Sequence, residues 1–266
     1  MIVTERQHRE RTHFDRVYRR AERTQHLRIP PHDLRRYGRC DDWRTYGKEC
    51  AFHYLKPLAG RELLEIGCGT GVDSVLLAAN GARVFAYDVS PEAVEIARKR
   101  AEVNGLADRI TFVVACDLSA AFAGRRFDRV FGNTVLHHLD LTGFNDKVRS
   151  VLRPEGVAVF REPVVLDRWL RRLRRCIPWY PSNPSPDERP LDRQDVAALC
   201  RGFAGVELRQ FECLSRIWPL LRSSWLIDCL HRWDRELLEG VPWSRRFASV
   251  LVMRLTGHCP SARETP

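Results

Sequence analysis

Leu63-Leu64-Glu65-Ile66-Gly67-Cys68-Gly69-Thr70-Gly71 is the stretch that decides the fold. Its first four residues read as a buried strand. Three glycines at alternate positions follow. Val72, Val75, Leu76 and Ala79 then recur at helical spacing until Asn80-Gly81 stops them. A strand that passes through glycines into a helix lets backbone run close to a ligand and aims the helix's N-terminal N–H groups at it. The spacing is G-x-G-x-G. Position 72 is Val, so the G-x-G-x-x-G pattern of dinucleotide sites is not met and a nicotinamide dehydrogenase is disfavoured.

The same texture continues outward. Residues 83–87 read as a second strand. Ser90 and Pro91 start a helix that buries Val94, Ala97 and Ala101 and ends at Asn104-Gly105. Residues 110–114, 127–131 and 157–160 read as further strands, with a helix through Phe144, Val148 and Val151 before the last of them. A helix over 192–200 and strands over 206–214 and 248–255 complete the pattern. Strands alternating with helices at this spacing predict βαβ units and a parallel sheet. Three acids fall at successive strand ends: Glu65 two residues before the loop, Asp88 after the second strand and Asp117 after the third. Open α/β sheets bind ligands along that edge, and a carboxylate at the second strand end suits a ribose diol.

The segments LLEIGCGTG, YDVS, CDL, FDRVFGNTVLHHLD and LRPEGVAVFREP together resemble the class I S-adenosylmethionine-dependent methyltransferases, in particular the small-molecule group of the ubiquinone/menaquinone-biosynthesis type. The resemblance is carried by residues 58–162. It implies a Rossmann-like, doubly wound seven-stranded α/β sheet with the last strand antiparallel. The domain plan is then 1–57 as a helical N-terminal lid, 58–162 as the cofactor-binding core and 163–191 as an insertion or cap. Residues 192–257 are the C-terminal part of the same domain, with a helical insertion at 217–245, and 258–266 are a tail. The cofactor implied is S-adenosylmethionine, leaving as S-adenosylhomocysteine, with no metal. By the resemblance, Glu65, Gly67 and Gly69 hold the amino-acid end, with Cys68 and Gly71 completing the loop. Asp88 takes the ribose, Val89 packs on adenine, Asp117 accepts from the adenine amino group beside Leu118, and Asn133 lies beneath the methionine part. Glu155 stands where the group commonly has glycine, away from the cofactor.

Methyl transfer to an alcohol or phenol calls for a proton acceptor, whereas a neutral amine needs none. Candidate bases are His137 and His138, just beyond the fourth strand, and Glu162 at the end of the fifth. Each also has a plain structural reading, as loop packing for the imidazoles and as a salt bridge or turn contact for the acid. Tyr37, Tyr46 and Lys48 are candidate contacts near the methionine end. Six of the seven tryptophans lie at or after Trp169. They suggest a bulky, partly apolar small-molecule acceptor and O-methylation of natural-product type. Trp218, Leu221, Trp225, Leu226, Cys229, Leu230, Trp233 and Leu237 form one helical stripe, read first as that helix's buried face. Together with the arginines of 168–175 it also carries a reading of peripheral membrane contact and a lipid- or quinone-linked acceptor. A non-methylating use of the cofactor, such as a cyclase, stays open, because fold does not dictate reaction.

Composition narrows the rest. The chain has 266 residues, of which 44% are hydrophobic and 29% charged, and 44 basic residues stand against 34 acidic. That net charge of +10 would suit nucleic acid. Residues 1–44, however, hold twelve arginines against seven acids and residues 161–175 six against two, so much of the excess lies outside the glycine-loop core. Gly132-Asn133-Thr134-Val135 is not the Asn/Asp-Pro-Pro-aromatic turn of nucleic-acid adenine methyltransferases, and no Pro-Cys pair is present. An RNA or DNA substrate is therefore disfavoured. Nine scattered cysteines without C-x-x-C fit reduced thiols of a cytoplasmic protein better than a zinc site or a disulfide scaffold. No apolar run suggests export or a membrane span.

Overall fold

Leu63 and Leu64 show how the sheet is built. In the computed structural model they are both fully buried, yet Leu63 packs on one face of the sheet and Leu64 on the other. A strand covered on both sides reads as a continuous apolar run, which is why no polar alternation marks it. The structure describes residues 4–21, 26–167, 189–221 and 223–258. The arginine-rich 168–175, most of the expected insertion and the tail from 259 onward lie outside them.

Seven strands form one sheet: β1 (Glu62–Ile66), β2 (Arg83–Asp88), β3 (Ile110–Val114), β4 (Phe127–Asn133), β5 (Leu152–Pro163), β6 (Phe203–Phe211) and β7 (Val250–His258), in the order β3-β2-β1-β4-β5-β7-β6. The first five pair in parallel, and β7 runs antiparallel to both β5 and β6. The order reverses at β1, so the edge beyond the carboxyl ends of β1 and β4 is the switch point where such sheets bind ligands.

The helices are α1 (Glu5–Ala21), α2 (Pro31–Arg39), α3 (Gly47–Leu55), α4 (Val72–Ala79), α5 (Pro91–Val103), α6 (Leu118–Ala121), α7 (Phe144–Val151), α8 (Arg193–Cys200) and α9 (Ser224–Gly240). One sheet face is covered by α3, α4 and α5 through Phe52, Leu55, Leu76, Val94 and Ala97. The other is covered by α7 and α8 through Phe144, Val148, Val196 and Leu199. Ser90 caps α5 by accepting from Ala93 N, with Pro91 in the first turn, as its sequence predicts.

Two expectations change. The strand predicted over 206–214 lies three residues earlier. Glu212, at φ +61, ends β6, and Asp234 on α9 captures the amides of Cys213, Leu214 and Ser215, at 3.0, 2.6 and 2.9 Å. The same carboxylate orients α9: Leu230, Asp234 and Leu238 are its buried residues. Trp225 and Trp233 are 72% and 60% exposed, so these two tryptophans of the stripe lie off the buried face, which takes only Leu230 from it. Among the described residues no helix is long and apolar enough to cross a membrane.

Candidate active site

A cavity of about 930 Å³ opens along the carboxyl ends of β1, β2, β3 and β4, beneath α1. That volume lies near the upper end of the range for ligand clefts and leaves room for two small molecules side by side. Glu65, Gly67, Cys68, Gly69, Asp88, Val89, Asp117, Leu118, Asn133, His137 and His138 all line it. Gly71 and Glu162 do not.

The glycine loop departs from the simplest reading of its sequence. Its amides are largely spent inside the protein. Gly67 N and Cys68 N donate to Tyr87 O at 2.9 and 3.0 Å, Gly71 N donates to Cys68 O at 2.9 Å, and Gly69 N donates to Asp88 Oδ2 at 2.8 Å. The loop therefore supplies space and shape more than a row of free N–H donors. Gly67, at φ +67, could not carry a Cβ, which would fall 2.3 Å from Val135 Cγ2. Gly71, at φ +77, is needed for packing: a Cβ there would meet Ala97 of α5 at 2.8 Å.

Asp88 ends β2 with both oxygens engaged, Oδ2 by Gly69 N and Oδ1 by Ser90 N at 2.9 Å. A carboxylate has about four acceptor positions, so these two bonds do not exhaust it. Burial pushes the Asp88 carboxyl up from its usual range, against the pull of those amides. Glu65 is 3% exposed and accepts from Ser74 Oγ at 2.5 Å. Burial, joined by the nearby charge of Asp73, pushes it well above the ordinary glutamate value, while Ser74 and Lys48 pull the other way.

Asp73 was not singled out in the sequence. It lines the cavity and binds Lys48 Nζ at 2.5 Å and Asn133 Nδ2 at 2.7 Å. Asn133 Oδ1 in turn accepts from Arg161 at 3.2 Å. Burial alone would lower Lys48, yet Asp73 holds it above the usual lysine value. Lys48 thus reaches the methionine end of the expected site only through Asp73. Tyr37 lies with its ring 4.8 Å from Lys48 Nζ, and Tyr46 turns away to Asp228 of α9 at 2.6 Å. Asp117 pairs with Lys147 at 2.6 Å.

Beyond β4 the chain turns through Thr134, held at φ +54, into a short 3-10 helix, Leu136–His138. A β-branched residue in the left-handed region is strained, and such strain persists where surrounding contacts fix it. Here the fixing group is Glu162. Its Oε1 accepts from Val135 N and Leu136 N, each at 2.9 Å, and its Oε2 lies 2.8 Å from His137 Nδ1. Glu162 is fully buried and does not face the cavity. It supports the turn and one imidazole, the turn contact that its place at the strand end also allows. His138 lies against α1, with Glu10 Oε2 3.3 Å from its Nδ1 and the Phe14 ring edge-on at 5.1 Å. Glu10, Phe14 and Tyr18, spaced by four on α1, line the cavity, and that spacing was the available sequence signal for them. No described residue after Lys147 lines it.

Comparison with known proteins agrees with this geometry. A family model described as a methyltransferase domain matches residues 63–156. The ubiquinone biosynthesis O-methyltransferase of Methylocella silvestris is 31% identical over 237 residues, which cover 74% of this chain and 89% of the relative. Methyltransferase GfsG of Streptomyces halstedii is 33% identical over 119 residues, 44% of this chain and 43% of its own length. The crystal structure of magnesium protoporphyrin IX methyltransferase from Synechocystis PCC 6803 superposes with a TM-score of 0.55 at 16% identity. It covers 95% of this chain and 100% of that one, and so shares the fold. The chain belongs to the class I S-adenosylmethionine-dependent methyltransferases.

Proposed function

We propose that the enzyme methylates a hydroxyl group of a small, partly apolar acceptor, and that it binds S-adenosylmethionine along the three strand-end carboxylates. The observation that carries this reading is the meeting, in one cavity, of Glu65, Asp88 and Asp117 with the two imidazoles beyond β4. The likeness to a ubiquinone biosynthesis O-methyltransferase supports oxygen as the acceptor atom.

The residues fit the cofactor part by part. Asp88 keeps acceptor capacity for the ribose hydroxyls. Val89 and Leu118 flank adenine, and Asp117 accepts from its amino group while Lys147 stays at its other oxygen. Glu65, Asp73 and Asn133 surround the amino-acid end, where a cationic ammonium would offset the clustered carboxylates. Gly67, Cys68 and Gly69 shape the floor. When bound, the cofactor supplies a methyl group activated by its sulfonium. The chain's part is to orient the acceptor, exclude water beneath α1 and receive the hydroxyl proton on an imidazole of 137–138. Phe14, Val135, Leu139 and Phe144 give the cavity apolar walls.

The test is turnover of purified enzyme with S-adenosylmethionine against matched catechol, aniline and enolisable-carbon acceptors, following S-adenosylhomocysteine release and the methylated product by mass spectrometry. Methylation of the catechols, reduced at least tenfold in His137→Ala or His138→Ala with cofactor still bound, is the expected result. Methylation confined to nitrogen or carbon acceptors, or full turnover in both histidine variants, sinks the reading.

A further inference from the structure

The two imidazoles beyond β4 differ in where their carboxylate partners come from. His137 is held by Glu162, a fully buried residue of the central sheet. His138 is faced by Glu10, a residue of α1. Helix α1 lies across the cavity and is tied to the core by side chains: Gln7 Nε2 donates to Cys116 O at 2.9 Å, Ser90 Oγ to Asp15 Oδ1 at 2.5 Å, and Arg19 pairs with Glu92. Glu10 is 5% exposed although most of α1 is polar and solvent-facing. A carboxylate is buried at such a position only against groups that compensate it, and His138 is one cation-forming group beside it.

Glu10 and Phe14 approach His138 from α1, and the His137 ring lies 4.0 Å away, centroid to centroid, with Glu162 behind it. Arg6 and Asp140 line the same part of the cavity. His138 is also the more open imidazole, its side chain 15% exposed against 5% for His137.

We propose that His138 is the proton acceptor of methyl transfer and that Glu10 is its positioning residue, so that the base is complete only with α1 seated. This rests on the O-methylation reading above. The Glu10 carboxylate lies beside Nδ1 of His138, which leaves Nε2 as the nitrogen to take the proton. As the acceptor's O–H bond breaks, its proton passes to Nε2. The oxygen lone pair forms the new O–CH3 bond, and the electrons of the broken S–CH3 bond remain on sulfur. The imidazolium so formed is stabilised by the Glu10 carboxylate. When α1 lifts, that stabilisation goes and the proton is released to solvent.

The experiment is steady-state turnover of a soluble catechol at saturating S-adenosylmethionine, with affinity for S-adenosylhomocysteine measured by calorimetry on the same samples. Glu10→Gln is expected to lower kcat about tenfold while KM for the catechol and cofactor affinity stay within about twofold. His138→Gln is expected to lower kcat at least as far, and adding Glu10→Gln to it is expected to cost nothing more, because Glu10 acts through that imidazole. Should Glu10→Gln not fold, Glu10→Asp is expected to keep part of kcat. Full turnover in folded Glu10→Gln, or a further loss when it is added to His138→Gln, overturns the pairing. Absent binding of S-adenosylhomocysteine removes the cofactor assignment instead.

Discussion

The two ends of the cavity are built in opposite ways. At the strand-end acids Glu65 and Asp88, proposed for the cofactor, the contacts join residues close in sequence: Ser74 to Glu65 across 9 positions, Gly69 to Asp88 across 19, Ser90 to Asp88 across 2. At the imidazoles, proposed for the acceptor, they join segments further apart: Val135 and Leu136 to Glu162 across 27 and 26 positions, His137 to Glu162 across 25, and His138 of the turn beyond β4 to Glu10 of α1. A ligand common to a whole family can be held by short motifs at strand ends. A ligand particular to one enzyme is enclosed by whatever element the rest of the chain folds over it. Burial also raises the carboxyls of Glu65 and Asp88, whereas each of the two imidazoles has a carboxylate beside it.

The largest effect should come from cutting the root of the acceptor end. Glu162→Ala leaves Val135 N, Leu136 N and His137 Nδ1 without their buried acceptor. Loss of that network should lower stability by about 3 kcal/mol, read by urea denaturation. A change below about 0.5 kcal/mol would mean that the strained turn at Thr134 holds without it. Next in size is Asp88→Ala at the cofactor end. It removes the proposed ribose acceptor and frees Gly69 N and Ser90 N, and affinity for S-adenosylhomocysteine should fall about 100-fold by calorimetry, or roughly 2.7 kcal/mol. Unchanged affinity would dismantle the strand-end assignment.

Glu65→Gln tests the charge asymmetry and should cost about tenfold in affinity. Its pH signature is more telling. The folded chain raises the Glu65 carboxyl above its ordinary 4.5, so between those two values the folded state binds more protons than the unfolded one. Stability of the cofactor-free enzyme from this group is therefore greatest below about 4.5 and declines as pH rises through the folded value. In Glu65→Gln that slope should vanish, and the cofactor-free variant should melt higher than wild type at neutral pH. A variant that melts lower there would show Glu65 to be a structural anchor instead.

The contrast between the two ends also explains what could be read in advance. The glycine loop, the three acids and Asn133 were legible because each sits at a strand end fixed by local periodicity, and all of them except Gly71 line the cavity. The four-residue spacing of Glu10, Phe14 and Tyr18 was there to be read on α1, but their place at the cavity was not, because the core that α1 covers decides which face turns inward; Asp73 on α4 gains its part only when Lys48 and Asn133 reach it. Glu162 was legible as the end of the fifth strand, with a turn contact as its structural reading, but its partners Val135, Leu136 and His137 were not, since they become neighbours only when β4 and β5 pair. The seventh strand's direction followed from the family resemblance. The end of β6 did not, because Asp234 sets it from α9.

The smallest effect is expected where the sequence looked richest. Trp225 and Trp233 are the most conspicuous residues of the C-terminal addition, and their density suggested an acceptor pocket. In the structure both are largely exposed, α9 is anchored by Asp234, and no described residue of α9 lines the cavity. The double variant Trp225→Ser, Trp233→Ser removes no buried packing, so stability should change by less than about 0.5 kcal/mol and turnover of a soluble catechol should stay within about twofold. If turnover instead falls tenfold or more, α9 reaches the acceptor during the reaction and the boundary drawn here between its two ends is wrong. If turnover holds with the soluble acceptor but drops when the acceptor is presented in liposomes, the exposed tryptophans serve delivery of the acceptor and not its chemistry. Tryptophan at a water–bilayer boundary has the amphipathic ring for that task.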